Sequence, residues 1–276
     1  MNFVRSSLSV LFLAVALIPA FGGSGSVRVE PAFWWTGMQR SSLQLLVHAD
    51  RISESEPRLE YPGVELSGVI RVDSPNYLFL NLAIAGDAPA GTFPIRFFED
   101  GEQVAAYQYE LKARRENSSD RLGFGNEDVI YLIVPDRFAN GDPSNDSVPG
   151  MLETAVNRGD PYGRHGGDIR GIIDNLDYLA DMGFSALWTT PMLENNQPKS
   201  SYHGYAITDF YKVDPRLGTL DDYIELSERC EALGIRLVMD MVLNHCGSEH
   251  WWMKDLPDPD WINYHPDYKL TNHMRT

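Results

Sequence analysis

Residues 235–245 read Ile235-Arg236-Leu237-Val238-Met239-Asp240-Met241-Val242-Leu243-Asn244-His245. Residues 235–242 make an apolar run of strand length, and the stretch then closes on an amide and an imidazole. As a strand it would set Asp240, Val242 and Asn244 to one side, with His245 at the rim. Two further runs of this kind come earlier, at 129–134 and 184–190. The first is continuously apolar, as expected of a strand buried on both faces, and the second reads as another apolar strand. Between them Ile169, Ile172, Ile173, Leu176 and Leu179 recur at helical spacing, and Gly183 stands where that helix would end. Thr219 with Asp222 three residues on resembles a capping box, opening a helix that runs to Gly234. Strand, loop and helix in repetition predict parallel strands covered by helices, an α/β layer or barrel. About 150 residues follow Asn126, against about 250 in a closed (β/α)8 TIM barrel. The expectation is the first three βα units of such a barrel, left incomplete within these 276 residues and belonging to a longer chain. A complete small α/β domain is the alternative.

Upstream the pattern changes. Residues 27–35, 43–49, 64–72, 78–85, 92–99 and 104–112 are rich in β-branched and aromatic side chains. Turn-formers such as Tyr61-Pro62-Gly63, Ser74-Pro75-Asn76 and Asp100-Gly101 separate them. Short strands at this spacing predict an all-β, immunoglobulin-like sandwich. The chain therefore divides into a signal peptide at 1–22, a sandwich at 23–115, a linker at 116–127 and a partial barrel at 128–276.

The signal rests on Arg5, the apolar run 8–18, and the small or helix-breaking residues Pro19, Ala20, Gly22 and Gly23. The run is shorter than the roughly 20 residues a membrane span needs. Export, to the periplasm or outside the cell, is the expectation, with no membrane attachment once the signal is removed. The net charge of −16 is spread along the chain. It opposes binding to nucleic acid, whose phosphates need a basic patch. Two cysteines, Cys230 and Cys246, are too few and too poorly spaced for a disulfide framework or a zinc site.

The loops after the three strands carry the chemistry, because barrel enzymes build their sites on that face. The first places Asn140, Asp142, Asn145 and Asp146 within seven residues. Such oxygens suit calcium, yet the same residue types also build ordinary turns. The second reads Tyr202-His203-Gly204-Tyr205, an aromatic and an imidazole that could face a sugar or simply pack. The third is the Asp240–His245 stretch.

Together these segments resemble the α-amylase family, glycoside hydrolase family thirteen. The stretch 240–245 is similar to that family's first conserved region. His203-Gly204-Tyr205 with Asp209 resembles the loop that precedes its "DP..GT" segment, here Asp214-Pro215-Arg216-Leu217-Gly218-Thr219. The loop 136–142, the Gly166-Gly167-Asp168 turn, and Glu30-Pro31 with Trp34-Trp35 look like the cyclomaltodextrinase and neopullulanase subgroup. The resemblance implies that Tyr205 stacks on a glucose ring while His203 and His245 bind its hydroxyls. It implies that Asp209, Asp240 and Asn244 support the site. It also implies a structural calcium ion held by Asn140, Asp142, Asn145, Asp146, the Gly166 carbonyl and Asp168. A homodimer of the full-length protein is implied by the subgroup alone.

The family's retaining chemistry needs a nucleophile and an acid about 5 Å apart. Their motifs, and that of a third carboxylate, lie on later strands and have no counterpart among these 276 residues. The expectation is an α-1,4-glucan hydrolase acting on maltodextrin, cyclodextrin or pullulan as the full-length protein, with no turnover by this stretch alone. A catalytically dead, secreted glucan-binding protein is the alternative. An interaction protein on the same scaffold is a third reading.

Overall fold

The computed structural model describes residues 26–118 and 123–262. The signal expected at 1–22, part of the linker and the last residues lie outside that description. Eight strands make the N-terminal half: β1 (Arg28–Glu30), β2 (Phe33–Trp35), β3 (Ser42–His48), β4 (Glu56–Arg58), β5 (Val64–Arg71), β6 (Tyr77–Ile84), β7 (Gly91–Glu99) and β8 (Glu102–Lys112). They form two four-stranded sheets, ordered β1-β3-β6-β5 and β2-β8-β7-β4. The period-2 pattern sets the inner faces. Leu78, Leu80 and Leu82 of β6 meet Phe93, Ile95 and Phe97 of β7 in one buried cluster. Each such side chain contributes about 1.5–3 kcal/mol by leaving water. Asp100 and Gly101 both take positive φ (51° and 87°). That is the two-residue turn whose twist suits the β7–β8 hairpin.

The single strand expected over 27–35 is two. Pro31 has no N–H to give a ladder, and the chain crosses there from one sheet to the other. Strand β4 escapes the sequence pattern because it is three residues long and carries Pro57 at a sheet edge.

The second half holds β9 (Ile130–Ile133), α1 (Pro135–Phe138), α2 (Ile169–Asp174), α3 (Leu176–Asp181), β10 (Ala186–Thr189), β11 (Leu193–Glu194), β12 (Asp209–Val213), α4 (Leu220–Ala232) and β13 (Arg236–Met239). β9, β10 and β13 form a parallel sheet in the order β13-β10-β9, with Leu187 level with Tyr131 and Leu237. Those three side chains pack with Ile169, Ile172, Leu176, Leu226 and Cys230 of the helices. The opposite face carries Ile130, Leu132 and Trp188, all exposed. The capping box of α4 forms as the sequence indicates, with Thr219 and Asp222 each accepting from the other's backbone. Both cysteines are free. Among the described residues no helix is long and apolar enough to cross a membrane.

Two expectations for this second half change. The helix expected through 169–179 breaks at Asn175, whose Nδ2 donates to the Gly171 carbonyl (2.8 Å). A short amide side chain that binds the backbone competes with the helix ladder. The third strand stops at Met239, so residues 240–245 are irregular. Val242 is buried with Leu193 and Ile207, whereas Asn244 is exposed. The two do not share a strand face with Asp240.

Residues 248–262 fold back onto the sandwich. Asp255 accepts from His48 Nε2 (2.9 Å), Asn76 Nδ2 (2.8 Å) and Ser74 Oγ (3.4 Å). Burial pushes the Asp255 carboxyl up, but these three donors and the His48 charge hold it below its ordinary value. Trp251 stacks on Tyr77 with an interplanar angle of 7°. Arg28 sits 4.6 Å over the Trp251 ring and also donates to Asp209 (3.1 Å).

Candidate functional site

The turn after β11 positions the first side chains. Gly204 has φ 81°, and a Cβ there would collide with the Pro191 carbonyl. Only glycine therefore brings His203 and Tyr205 round this corner. The Tyr205 N–H donates to His203 Nδ1 (2.9 Å), which leaves His203 Nε2 as the outward nitrogen. Burial holds His203 below the usual histidine range, although Glu153 pulls the other way. It is neutral at pH 7 and can donate through Nε2.

Tyr205 reaches across to the residue that follows β13. Its hydroxyl donates to Asp240 Oδ2 (3.0 Å), and Trp188 Nε1 donates to the same oxygen (3.2 Å). Burial, then the Asp240 carboxylate, raises the Tyr205 phenol above its ordinary value, so it stays a donor. His245 Nε2 donates to the Tyr205 carbonyl (3.0 Å). The His203 and Tyr205 rings lie 5.9 Å apart, tilted by 31°. Tyr205 remains 38% exposed, so a ring face is available to a ligand. A ring flanked by imidazoles and a carboxylate suits a sugar, which offers C–H faces and a rim of hydroxyls.

Four of the expected residues, His203, Tyr205, Asp240 and His245, therefore come together. Asp209 does not join them. Its Oδ2 accepts from Arg28 and its Oδ1 from the Tyr211 N–H, at the seam with the sandwich. A carboxylate satisfied by a guanidinium from the other half of the chain is not available to a sugar. Asn244 is exposed beside His245, and the hydrogen bonds that tie the cluster together do not include it. Trp188 is a member that sequence reasoning missed. Its signal is one bulky aromatic near the end of an apolar strand.

A second cluster lies after β9. Asp168 caps α2: its Oδ1 accepts from Gly171 N (2.6 Å) and Gly141 N (3.0 Å). Its Oδ2 accepts from Asp142 N (2.8 Å) and Asn145 Nδ2 (3.4 Å). Asn140 Nδ2 donates to Asp146 Oδ1 (2.9 Å). A Cβ on Gly166 would strike Asp146 Oδ1 and Asn140 Nδ2, so Gly166 abuts both. Asp136 is buried and accepts from the backbone N–H groups of His165 and Gly166, which fixes that turn.

Asn140, Asn145, Asp146, Gly166 and Asp168 thus meet in one cradle; Asp142 joins it through its backbone N–H, while its Oδ1 accepts from Ser144 N (3.0 Å) and Oγ (2.6 Å). Asn140 Oδ1 and Asn145 Oδ1 are buried there with no hydrogen-bonding partner in the protein. A buried amide oxygen left unpaired is costly, and a hard cation satisfies it. No three His, Cys, Asp or Glu side chains gather as a metal cluster among the described residues.

Comparison with known proteins bears on both halves of the chain. Residues 132–272 match the family model described as alpha amylase, catalytic domain. Residues 28–115 match that described as cyclomaltodextrinase, N-terminal. Neopullulanase 2 of Thermoactinomyces vulgaris is 38% identical over 188 residues, covering 65% of this chain and 30% of its own. The cyclomaltodextrinase of Thermoanaerobacter pseudethanolicus is 38% identical over 128 residues, 46% of this chain and 21% of its own. A beta/alpha-amylase of Paenibacillus polymyxa is 46% identical over 119 residues, 43% of this chain and 10% of its own. The chain thus spans less than a third of the length of these relatives. With the match to the catalytic domain covering half its residues, the chain belongs to the α-amylase family of glycoside hydrolases, in the subgroup that carries the cyclomaltodextrinase N-terminal domain.

Proposed function

We propose that this chain supplies the metal cradle and part of the sugar-binding wall of a retaining hydrolase of α-1,4-glucosidic bonds. Its substrates are maltodextrin, cyclodextrin or pullulan. The observation that carries the reading is the Tyr205–Asp240 hydrogen bond at the strand ends, flanked by His203 and His245. Tyr205 stacks on a glucose ring and the two histidines bind its hydroxyls. Asp240 holds the tyrosine and does no covalent chemistry, since Tyr205 and Trp188 both occupy one of its oxygens. Asp136 and Asp209 are likewise engaged, by backbone N–H groups and by Arg28. The three strands β9, β10 and β13 are the start of a (β/α)8 barrel. The nucleophile, acid and third carboxylate come from later strands of the full-length protein, which is exported.

Purified residues 23–276 are therefore expected to release no maltose from maltodextrin above the buffer rate. Sustained release would overturn the placement of the catalytic carboxylates outside this stretch.

The cradle takes a structural calcium ion, held by Asn140, Asp142, Asn145, Asp146, the Gly166 carbonyl and Asp168. When bound, the ion satisfies the amide oxygens and ties the loop after β9 to α2. At calcium a hundredfold above its Kd the linkage contributes about 2.7 kcal/mol. Chelation is expected to lower the Tm of the intact enzyme by several degrees, and Asp142→Ala to abolish that response. Equal melting with and without metal would end the assignment.

A further inference from the structure

Between the two clusters lies a small, partly open cavity of about 10 Å³. Arg164, Asn195, Ser201, Asp136, Asp214 and Arg216 supply its polar wall. All six are buried. Three of their polar atoms, Arg164 Nη2, Asn195 Oδ1 and Ser201 Oγ, have no hydrogen-bonding partner in the protein. Asn195 and Ser201 share one loop and Arg164 comes from an earlier one, and all three side chains line the same space. A buried polar atom left unpaired is destabilising.

We infer that this cavity is the site of one permanently bound water molecule, which bridges Arg164, Asn195 and Ser201. Volume and chemistry both select water. The space matches the 10–15 Å³, roughly, that a single water needs. A halide ion is the competing occupant beside two guanidiniums. The wall opposes it in two ways. Asp136 and Asp214 stand in the wall beside Arg164 and Arg216, so an anion would meet two carboxylates as well as two guanidiniums. An anion also cannot donate to Asn195 Oδ1. That oxygen is an acceptor by necessity, because Asn195 Nδ2 is spent on the Ser201 carbonyl (2.9 Å). A water accepts from Arg164, donates to Asn195 and exchanges a third bond with Ser201. Burial and the Arg216 charge both work against the Arg164 guanidinium, so a further acceptor for it carries weight.

The water also joins two loops. Arg164 Nη1 donates to the Asp146 carbonyl (2.6 Å) in the cradle after β9. Ser201 opens the short helical turn that ends at His203. The water completes a hydrogen-bonded path from the cradle to the base of the Tyr205 turn.

The test is a crystal structure of the intact protein grown in bromide, refined at a resolution that shows ordered solvent. The expected result is one peak within hydrogen-bond distance of Arg164 Nη2, Asn195 Oδ1 and Ser201 Oγ, without anomalous signal at the bromine edge. An anomalous peak in the cavity would assign the site to an anion and overturn the inference. A cavity free of density would overturn it as well.

Discussion

Replacing Asp214 by alanine is expected to remove about 3–5 kcal/mol of stability. The carboxylate is 3% exposed and its partner Arg216 2%. Asp214 Oδ1 accepts from Arg216 N (3.0 Å) and Nε (2.9 Å), and Oδ2 from Arg216 Nη2 (2.7 Å) and Asn195 N (3.0 Å). Burial alone would raise this carboxyl, yet the Arg216 hydrogen bonds and charge bring it below its ordinary value. The alanine variant would leave a guanidinium in the interior with its counter-charge gone. The loss comes chiefly from that uncompensated charge, not from the worth of the pair itself. Adding Arg216→Met to Asp214→Ala should therefore recover part of the stability, since an apolar side chain of similar length needs no partner. Denaturant midpoints of the single and double variants measure both effects. A double variant less stable than Asp214→Ala by the full cost of a second deletion would contradict the charge argument.

The second large effect is expected in acid. His250 is 1% exposed, and burial is the main reason its pKa falls to about 4. The Arg28 charge adds to that shift, while Asp209 opposes it. Its Nδ1 accepts from the Trp252 N–H (3.1 Å), capping the short turn at Trp251–Lys254. The folded state therefore keeps His250 neutral, whereas an unfolded histidine takes a proton below about 6.5. Between those values the unfolded chain binds more protons, so stability is complete above about pH 6.5 and is lost as pH falls toward 4. The loss is about 1.4 kcal/mol per unit, roughly 3 kcal/mol in all. His250→Asn keeps a capping acceptor and removes the titration. Its Tm profile should be flatter than the parent's over this window. An unchanged slope would move the acid sensitivity to other groups.

What could be read from the sequence follows from range. The capping box needs Thr219 and Asp222 only three residues apart, and it forms. His203, Gly204 and Tyr205 are adjacent, and their turn follows from the glycine. Apolar runs placed β9 and β10, but burial on both faces was not borne out: Ile130, Leu132 and Trp188 face outward. Contacts between distant segments were not legible. Arg28 claims Asp209 across 181 residues, and no local pattern distinguishes that carboxylate from one facing a sugar. Trp188 looks like any core aromatic until Asp240 is seen beside it. The Arg164–Asp214–Arg216 group gathers two loops, so its members read separately as surface charges. The early end of β13 and the break at Asn175 are cases of side-chain and loop contacts overriding an apolar pattern.

The seam at Asp255 bears on how such proteins can be recombined. The sandwich meets the loop after Asn244 and His245 through His48, Ser74, Asn76 and Tyr77. A sandwich grafted from a relative would have to offer donors and an aromatic face at those same four places. Without them, the ordering of Trp251 and of the chain leading back to His245 would pass to solvent. The working unit of inheritance here is the sandwich together with its docking loop, and a cut at residues 116–127 separates two halves of one joint.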